Sequence, residues 1–198
     1  AGSYSITAVV TDNTGSKSTS TAVAIKVNAP KAPYGGTAHP IPGKIEFENY
    51  DEGGNGVGYL DNTTGTSVPT PPNFRASEDV DIETCTDAGG GYNIGYATAG
   101  EWLEYSVNVA AAGTYTITLR VACDGARTVS LQAKGVAIAT NVAIPTTGGW
   151  QKWQDVVIPN VVLTAGAQVI RLTVGATDYV NLNYMNFVIA STAMPTVT

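Results

Sequence analysis

Histidine and cysteine are nearly absent from this chain, which has one His, His39, and two Cys, Cys85 and Cys123, in 198 residues. A Ser-His-Asp or Cys-His nucleophile needs an imidazole beside it, and the single one lies in a proline-rich stretch with no Cys nearby. Structural or catalytic zinc fails for want of ligands at zinc-site spacing. Basic residues are also few, 10 Lys and Arg against 16 Asp and Glu, and they are scattered. That excludes the basic stripe that phosphate backbones require, so no nucleic-acid partner is expected. No run of about 18 apolar residues occurs, so no membrane partner is expected, and the first residues carry no secretory-signal pattern. The low charge and linker-like ends read as a module cut from a larger secreted, extracellular protein.

What is present favours strands. Hydrophobic residues make up 43% of the chain, with 22 Gly and 10 Tyr among many Thr and Val. That composition supports one good core and predicts an all-β chain, a β-sandwich jelly roll with an N-terminal β-hairpin remnant. Residues 1–29 alternate β-branched and polar residues around the turn DNTGS, a hairpin signature. These strands either close a preceding domain or extend the main sheet. Residues 30–42 carry Pro30, Pro33, Pro40 and Pro42 and predict an extended linker in which His39 is solvated. The main domain is expected over 43–190, and 191–198 start another linker. Within it, strands are expected at 44–50, 78–84, 101–109, 114–123, 128–133, 136–143, 151–158, 168–174 and 181–189. Turns such as CDGA, KG and TTGG separate them. The stretch 51–77 is too irregular for regular structure and too long to be idle.

Three groups of residues could carry chemistry. Glu46, Glu48, Glu83, Glu101 and Glu104 could in principle supply a glycosidase pair, but no spacing specifies one, so catalytic residues are expected to be none. On a strand, Glu46 and Glu48 leave one face, as do Asn181 and Asn183. If the first and last strands pair, Glu46, Glu48 and Asn183 converge as an oxygen-only set suited to calcium, the alternative being a solvated strand face. Asp61, Asp79 and Asp81 could hold a second ion, the alternative being ordinary solvated loop acids. The third group is aromatic. Tyr92 and Tyr96 in GGGYNIGYATAGEW and Trp150 in TTGGW come together if the strand from 101 pairs with the one ending at Cys123. On composition alone Trp150 is either a core plug or an exposed platform.

The runs IEFENYD, DVDIETCTDAGGGYNIGYATAGEWLEYSVNVAAAGTYTITLRVA, TTGGWQKWQDVVIPNVVLTAGAQVIRLTV and VNLNYMNF together resemble a family 6 carbohydrate-binding module over residues 43–190. The N-terminal strands are similar to the closing strands of a bacterial immunoglobulin-like domain. The resemblance implies a calcium-bearing jelly roll attached to a secreted glycoside hydrolase, one that binds polysaccharide or oligosaccharide without cleaving it. By motif position, Tyr96 and Trp150 are the stacking pair, which makes Trp150 a platform. Asn181, Glu83 and Thr86 are the glycan-bonding residues, and Tyr92, Asn93 and Tyr179 could widen the site. Glu46, Glu48 and Asn183 fall on the calcium ligands, with Asn183 replacing a commoner Asp. Trp102, which corresponds to a Trp of a second cleft in some members, is expected in the core, as is Trp153. Cys85 and Cys123 fall at one end of the sandwich, where a disulfide is geometrically plausible and would stiffen the binding loop, the alternative being two buried free thiols. The 51–77 loop is similar to members found beside agarases and laminarinases, which implies an agar-type galactan or β-glucan, with xylan and cellulose open.

Overall fold

A computed structural model of the chain describes residues 2–27 and 29–190, so the expected linker at 191–198 lies outside the described residues. The N-terminal strands are β1 (Gly2–Ile6), β2 (Val9–Thr11), β3 (Lys17–Thr19) and β4 (Val23–Val27). Among the described residues β1 pairs only with β4, and β2 only with β3. They therefore do not extend the main sheets. Across β1 and β4 the directly opposed pairs are Tyr4 with Ile25 and Ile6 with Val23, so one face is apolar, and all four side chains are exposed.

The sandwich begins earlier than the sequence predicts, with β5 (His39–Ile41) and β6 (Gly43–Glu46). β5 lies inside the expected linker, yet it adds in parallel to a main-sheet strand, and Ile41 is fully buried. Pro40 is tolerated because β5 is the edge strand. His39 is correspondingly half-buried, its Nε2 3.1 Å from the carbonyl of Asn49, rather than a solvated linker residue. The strand expected over 44–50 stops at Glu46 and turns into a 3-10 segment, Phe47–Asn49, because Phe47 must drop into the core.

The remaining strands are β7 (Tyr59–Leu60), β8 (Ile82–Thr84), β9 (Tyr92–Ile94), β10 (Trp102–Val109), β11 (Gly113–Cys123) and β12 (Arg127–Ala133). They continue with β13 (Val136–Ile144), β14 (Gly149–Leu163), β15 (Gly166–Val174) and β16 (Asn181–Ile189). One sheet has the order β13-β12-β15-β10-β5, with β7 also on β10. The other runs β14-β11-β16-β9-β8, with β6 also on β16. The expected 78–84 strand is only β8, and β9 was not foreseen, since Gly-rich flanks hide three residues of pattern.

Period-two alternation drives the packing. Leu103, Tyr105 and Val107 point inward from one sheet and Tyr115, Ile117, Leu119 and Val121 from the other, in one cluster with Met185 and Phe187. The Lys134-Gly135 hairpin joining β12 and β13 has φ of 51° and 76°. Both central residues are left-handed, as a two-residue turn matched to strand twist requires.

Two expectations about neighbours change here. β10 pairs with β15, not with the strand ending at Cys123, which lies in the opposite sheet. Trp102, alternating out of phase with buried Leu103, sits on the outer face of its sheet under the Arg171 guanidinium, 4.0 Å from the ring centroid. It is not a core residue. Trp153 is half-buried on an outward-facing stretch of β14.

Candidate functional site

At one end of the sandwich, Glu83, Tyr96, Trp150, Tyr179 and Asn181 line an open cavity of about 350 Å³. Each comes from a different segment. The loop after β9 carries Tyr96, the loop before β16 carries Tyr179, and the Tyr179 N–H donates to the Ala97 carbonyl at 2.8 Å, fastening the two loops. Both tyrosines have left-handed backbone, φ 48° and 68°. For bulky residues that conformation costs about 1–3 kcal/mol and is held by its surroundings, a pattern concentrated at functional sites.

Trp150 owes its position to a break in register. Val121 pairs with Gln154 and Cys123 with Gly149, so β14 advances five residues (149 to 154) while β11 advances two. Residues 150 to 153 thus bulge out of the ladder, and a bulge re-aims side chains. Trp150 remains 40% exposed. The Tyr179 ring packs edge-on against each of the other two, 6.4 Å from Tyr96 at 76° and 6.4 Å from Trp150 at 87°. The three aromatics form one contiguous apolar lining.

The floor is polar. Glu83 Oε2 accepts from Asn181 Nδ2 at 2.7 Å, Asn93 Nδ2 at 3.1 Å and Gln151 Nε2 at 3.5 Å. Asn181 Nδ2 also donates to the Trp150 carbonyl at 2.7 Å. Among the described residues no hydrogen bond uses Glu83 Oε1 or Asn181 Oδ1. The floor therefore offers two acceptors to a hydroxyl-bearing ligand, one on a carboxylate already oriented by amides and one on the Asn181 amide. Gly95 makes this possible, since a Cβ there would lie 2.4 Å from Glu83 Oε2.

Tyr96, Trp150, Glu83, Asn181 and Tyr179 are thus brought together, and three other candidates are not. Asn93 is fully buried beneath the floor, where its Nδ2 serves Glu83 and its Oδ1 accepts from Gln151 Nε2 at 3.1 Å. Tyr92 turns away and stacks on Phe74, centroids 4.7 Å apart. Thr86 donates through N and Oγ1 to Gln151 Oε1, 3.0 Å each, and does not line the cavity. Gln151 is the residue that sequence reasoning missed. It links Thr86, Glu83, Asn93 and Trp153, but adjacency to Trp150 was its only signal, and strand alternation would have put it on the far face. Arg127 was missed too. Its guanidinium lies 5.6 Å from the Trp150 ring centroid while its Nε donates to the Tyr179 carbonyl at 2.7 Å.

The oxygen-rich set sits behind this end. β6 and β16 do pair, Glu46 opposite Tyr184. A register shift between Arg120-Tyr184 and Val121-Leu182 leaves Asn183 as the extra residue. Asn183 Nδ2 donates to Asp87 Oδ2 at 3.0 Å, while Asn181 serves the cavity. Glu48 lies on the 3-10 segment rather than on a strand, so the expected i, i+2 strand face does not exist. Its carboxyl is buried, its Oε2 has no hydrogen-bond partner, and burial pushes its pKa up to about 7. An orphaned buried carboxylate oxygen is the chemistry a hard cation would satisfy, with the Glu46 charge acting on it, while Glu46 itself pairs with Lys44.

The second candidate metal group does not assemble. Asp61 Oδ1 accepts from Thr63 N and Oγ1, Asp79 Oδ1 from Gly65 N, and Asp81 Oδ1 from Thr66 Oγ1 and Ser67 N. These acids fold their own loop, and no cluster of three or more His, Cys, Asp or Glu is arranged for a metal among the described residues. Burial raises Asp61 to about 6. The expected disulfide is absent as well. Cys85 and Cys123 are free, buried thiols. Cys123 Sγ donates to the Pro145 carbonyl at 3.3 Å, Cys85 Sγ accepts from Asp87 N at 3.4 Å, and burial raises both thiols.

A β-sandwich with an open end cavity that pairs aromatic walls with a carboxylate and amide floor has the form of a carbohydrate-binding module. The chain belongs to the carbohydrate binding module (family 6) family, whose profile matches residues 72–188. Over 74 residues it is 36% identical to a β-agarase from Microbulbifer thermotolerans, covering 36% of this chain and 17% of that enzyme. Among solved structures, it resembles a β-1,3-glucan-binding family 6 module from Bacillus halodurans. That match has TM-score 0.54 and 26% identity, covering 76% of this chain and 98% of the other. It also resembles the C-terminal family 6 module of a marine laminarinase from Zobellia galactanivorans. There the TM-score is 0.50 and the identity 28%, with 73% of this chain and 96% of the other covered. The chain spans 8% to 17% of the length of the curated relatives it matches.

Proposed function

We propose that this chain is the non-catalytic polysaccharide-binding module of a secreted glycoside hydrolase, holding one sugar ring between Tyr96 and Trp150. The observation that carries this reading is the exposed indole of Trp150 facing a cavity whose floor keeps Glu83 Oε1 and Asn181 Oδ1 free. Pyranose C–H faces pack on aromatic rings, and the ring hydroxyls donate to the two acceptors. Tyr179, which also lines the cavity, braces both rings edge-on. Binding would hold the attached enzyme beside its polysaccharide, where linked weak contacts raise effective concentration. An agar-type galactan or a β-glucan is favoured, in keeping with relatives named as a β-agarase and as a β-1,3-glucan binder.

Calcium belongs to this reading as a structural ion. Glu46, Glu48 and Asn183 would hold it through oxygen, and the ion would neutralise the buried Glu48 charge behind the binding loops. Residues 1–29 are read as the closing strands of a preceding immunoglobulin-like domain. The uncovered apolar face of β1 and β4 supports that, because a lone hairpin of this kind is marginal in water.

The test is affinity electrophoresis in gels containing agarose or laminarin, comparing wild type with Trp150→Ala. Retardation of the wild type should fall at least about tenfold in the variant with circular dichroism unchanged. Equal retardation of both proteins removes the assignment, and release of labelled sugar from oligosaccharides would mark an enzyme instead.

A further inference from the structure

The chain carries a net charge of −6 and has four arginines. Three of them are neutralised by carboxylates: Arg75 by Glu78, Arg120 by Asp87 and Asp155, and Arg171 by Glu104. Arg127 has no acidic partner among the described residues. Its Nε is committed to the Tyr179 carbonyl and its Nη1 to the Ala126 carbonyl at 3.0 Å. Nη2 makes no hydrogen bond among the described residues. The guanidinium nevertheless stays at the edge of the cavity, against the Trp150 ring. A second cation belongs to the same bulged stretch as Trp150. Lys152 leans over the Gly148-Gly149 turn, its Cγ 3.5 Å from where a Gly149 Cβ would be, and it too has no carboxylate partner among the described residues.

We infer that the Trp150 edge of the cavity is a subsite for an anionic substituent, a sulfate ester or carboxylate, on the bound glycan, with Arg127 as the specificity-determining residue. This rests on the reading of the cavity as a sugar site and narrows its ligand to acidic polysaccharides. The polarity of the cavity orients such a ligand. Glu83 and Asn181 present acceptors at the floor and would repel an anion there, whereas Arg127 presents donors on the indole side. Sugar hydroxyls go to the floor and the anion to the rim. A planar guanidinium fixed through Nε keeps its fork pre-ordered for an oxyanion, and a charge-assisted hydrogen bond is about twice as strong as a neutral one.

Binding is measured by calorimetry and affinity gels with four glycans: carrageenan for sulfate, polygalacturonate for carboxylate, and neutral agarose and laminarin. Wild type, Arg127→Gln, Arg127→Lys and Trp150→Ala are compared. One or both acidic glycans should bind wild type about tenfold or more tightly than the neutral ones. That ratio should collapse in Arg127→Gln, fall only in part in Arg127→Lys, which keeps the charge without the fixed fork, and shrink between 50 and 500 mM salt (conditions chosen for roughly threefold shorter screening lengths). Which acidic glycan shows the effect identifies the anion. Neutral glycans bound as tightly as acidic ones, or equal losses for both in Arg127→Gln, overturn the inference and leave the sugar site standing. Failure of wild type to bind any of the four removes both.

Discussion

At the scale of single residues, the cavity depends on contacts that tolerate no added atom. Gly95 lies against the Glu83 carboxylate, so Gly95→Ala forces either the backbone or the acid to move. Because the same Oε2 gathers Asn181, Asn93 and Gln151, the loss should spread. The variant is expected to lose about 1–3 kcal/mol in denaturant unfolding and most of its glycan affinity. Unchanged calorimetric affinity would show that Glu83 need not stay where it is. A second residue-scale contact is Asp87, held by the Arg120 Nε and Nη2, both at 2.7 Å. The Arg120 hydrogen bonds keep the Asp87 carboxyl below its ordinary 3.8. A depressed carboxylate stabilises fully above its unfolded value and stops doing so as pH falls through its folded one. The stability gap between wild type and Arg120→Met should therefore be constant above about pH 5 and close progressively in more acid solution. Thermal melts from pH 2 to 7 check it, and a gap that widens in acid contradicts the sign.

At the scale of elements, what organises this end of the molecule is departure from regular strands. The β14 bulge exposes Trp150, and the β16 bulge divides Asn181 and Asn183 between two tasks. The long 51–80 segment, poor in regular structure, is fixed instead by Arg75. Its guanidinium is nearly buried, lies 3.6 Å from the Tyr50 ring centroid, and bonds Glu78 as well as the Tyr50 and Asp51 carbonyls. Removing one partner of such a set strands the other. Arg75→Ala should cost about 3–5 kcal/mol and expose the loop to limited proteolysis before the sandwich unfolds. Cleavage no faster than in wild type would mean that the loop is held by something else. In the same segment, backbone N–H groups and hydroxyls of residues 63–67 take one oxygen of each of Asp61, Asp79 and Asp81, so these acids serve the loop's own folding.

At the scale of the whole molecule, two sheets close over one continuous core, and the calcium reading makes its prediction there. Ion binding to the folded state raises stability by mass action. Chelation should lower the melting temperature by roughly 5 °C, and the dependence should vanish in Glu48→Gln. A wild-type melt indifferent to chelator would remove the ion from the account. The sequence by itself determined the sandwich, because inward residues at every second position in 102–109, 113–123 and 181–189 satisfy only a two-layer β core. It also determined which aromatics and amides carry the motifs. It could not determine register. Strand alternation assigns each side chain a face only while pairing is unbroken, and a bulge reverses that assignment without leaving a mark in composition. For that reason Gln151 is not legible from the sequence, while Arg127, Asn93, Tyr92 and Cys123 take partners distant in sequence that no local pattern encodes. Which side chains meet in the cavity was decided by tertiary structure, where contacts between β8, the loop before β10 and the ends of β14 and β16 fix positions distant in sequence.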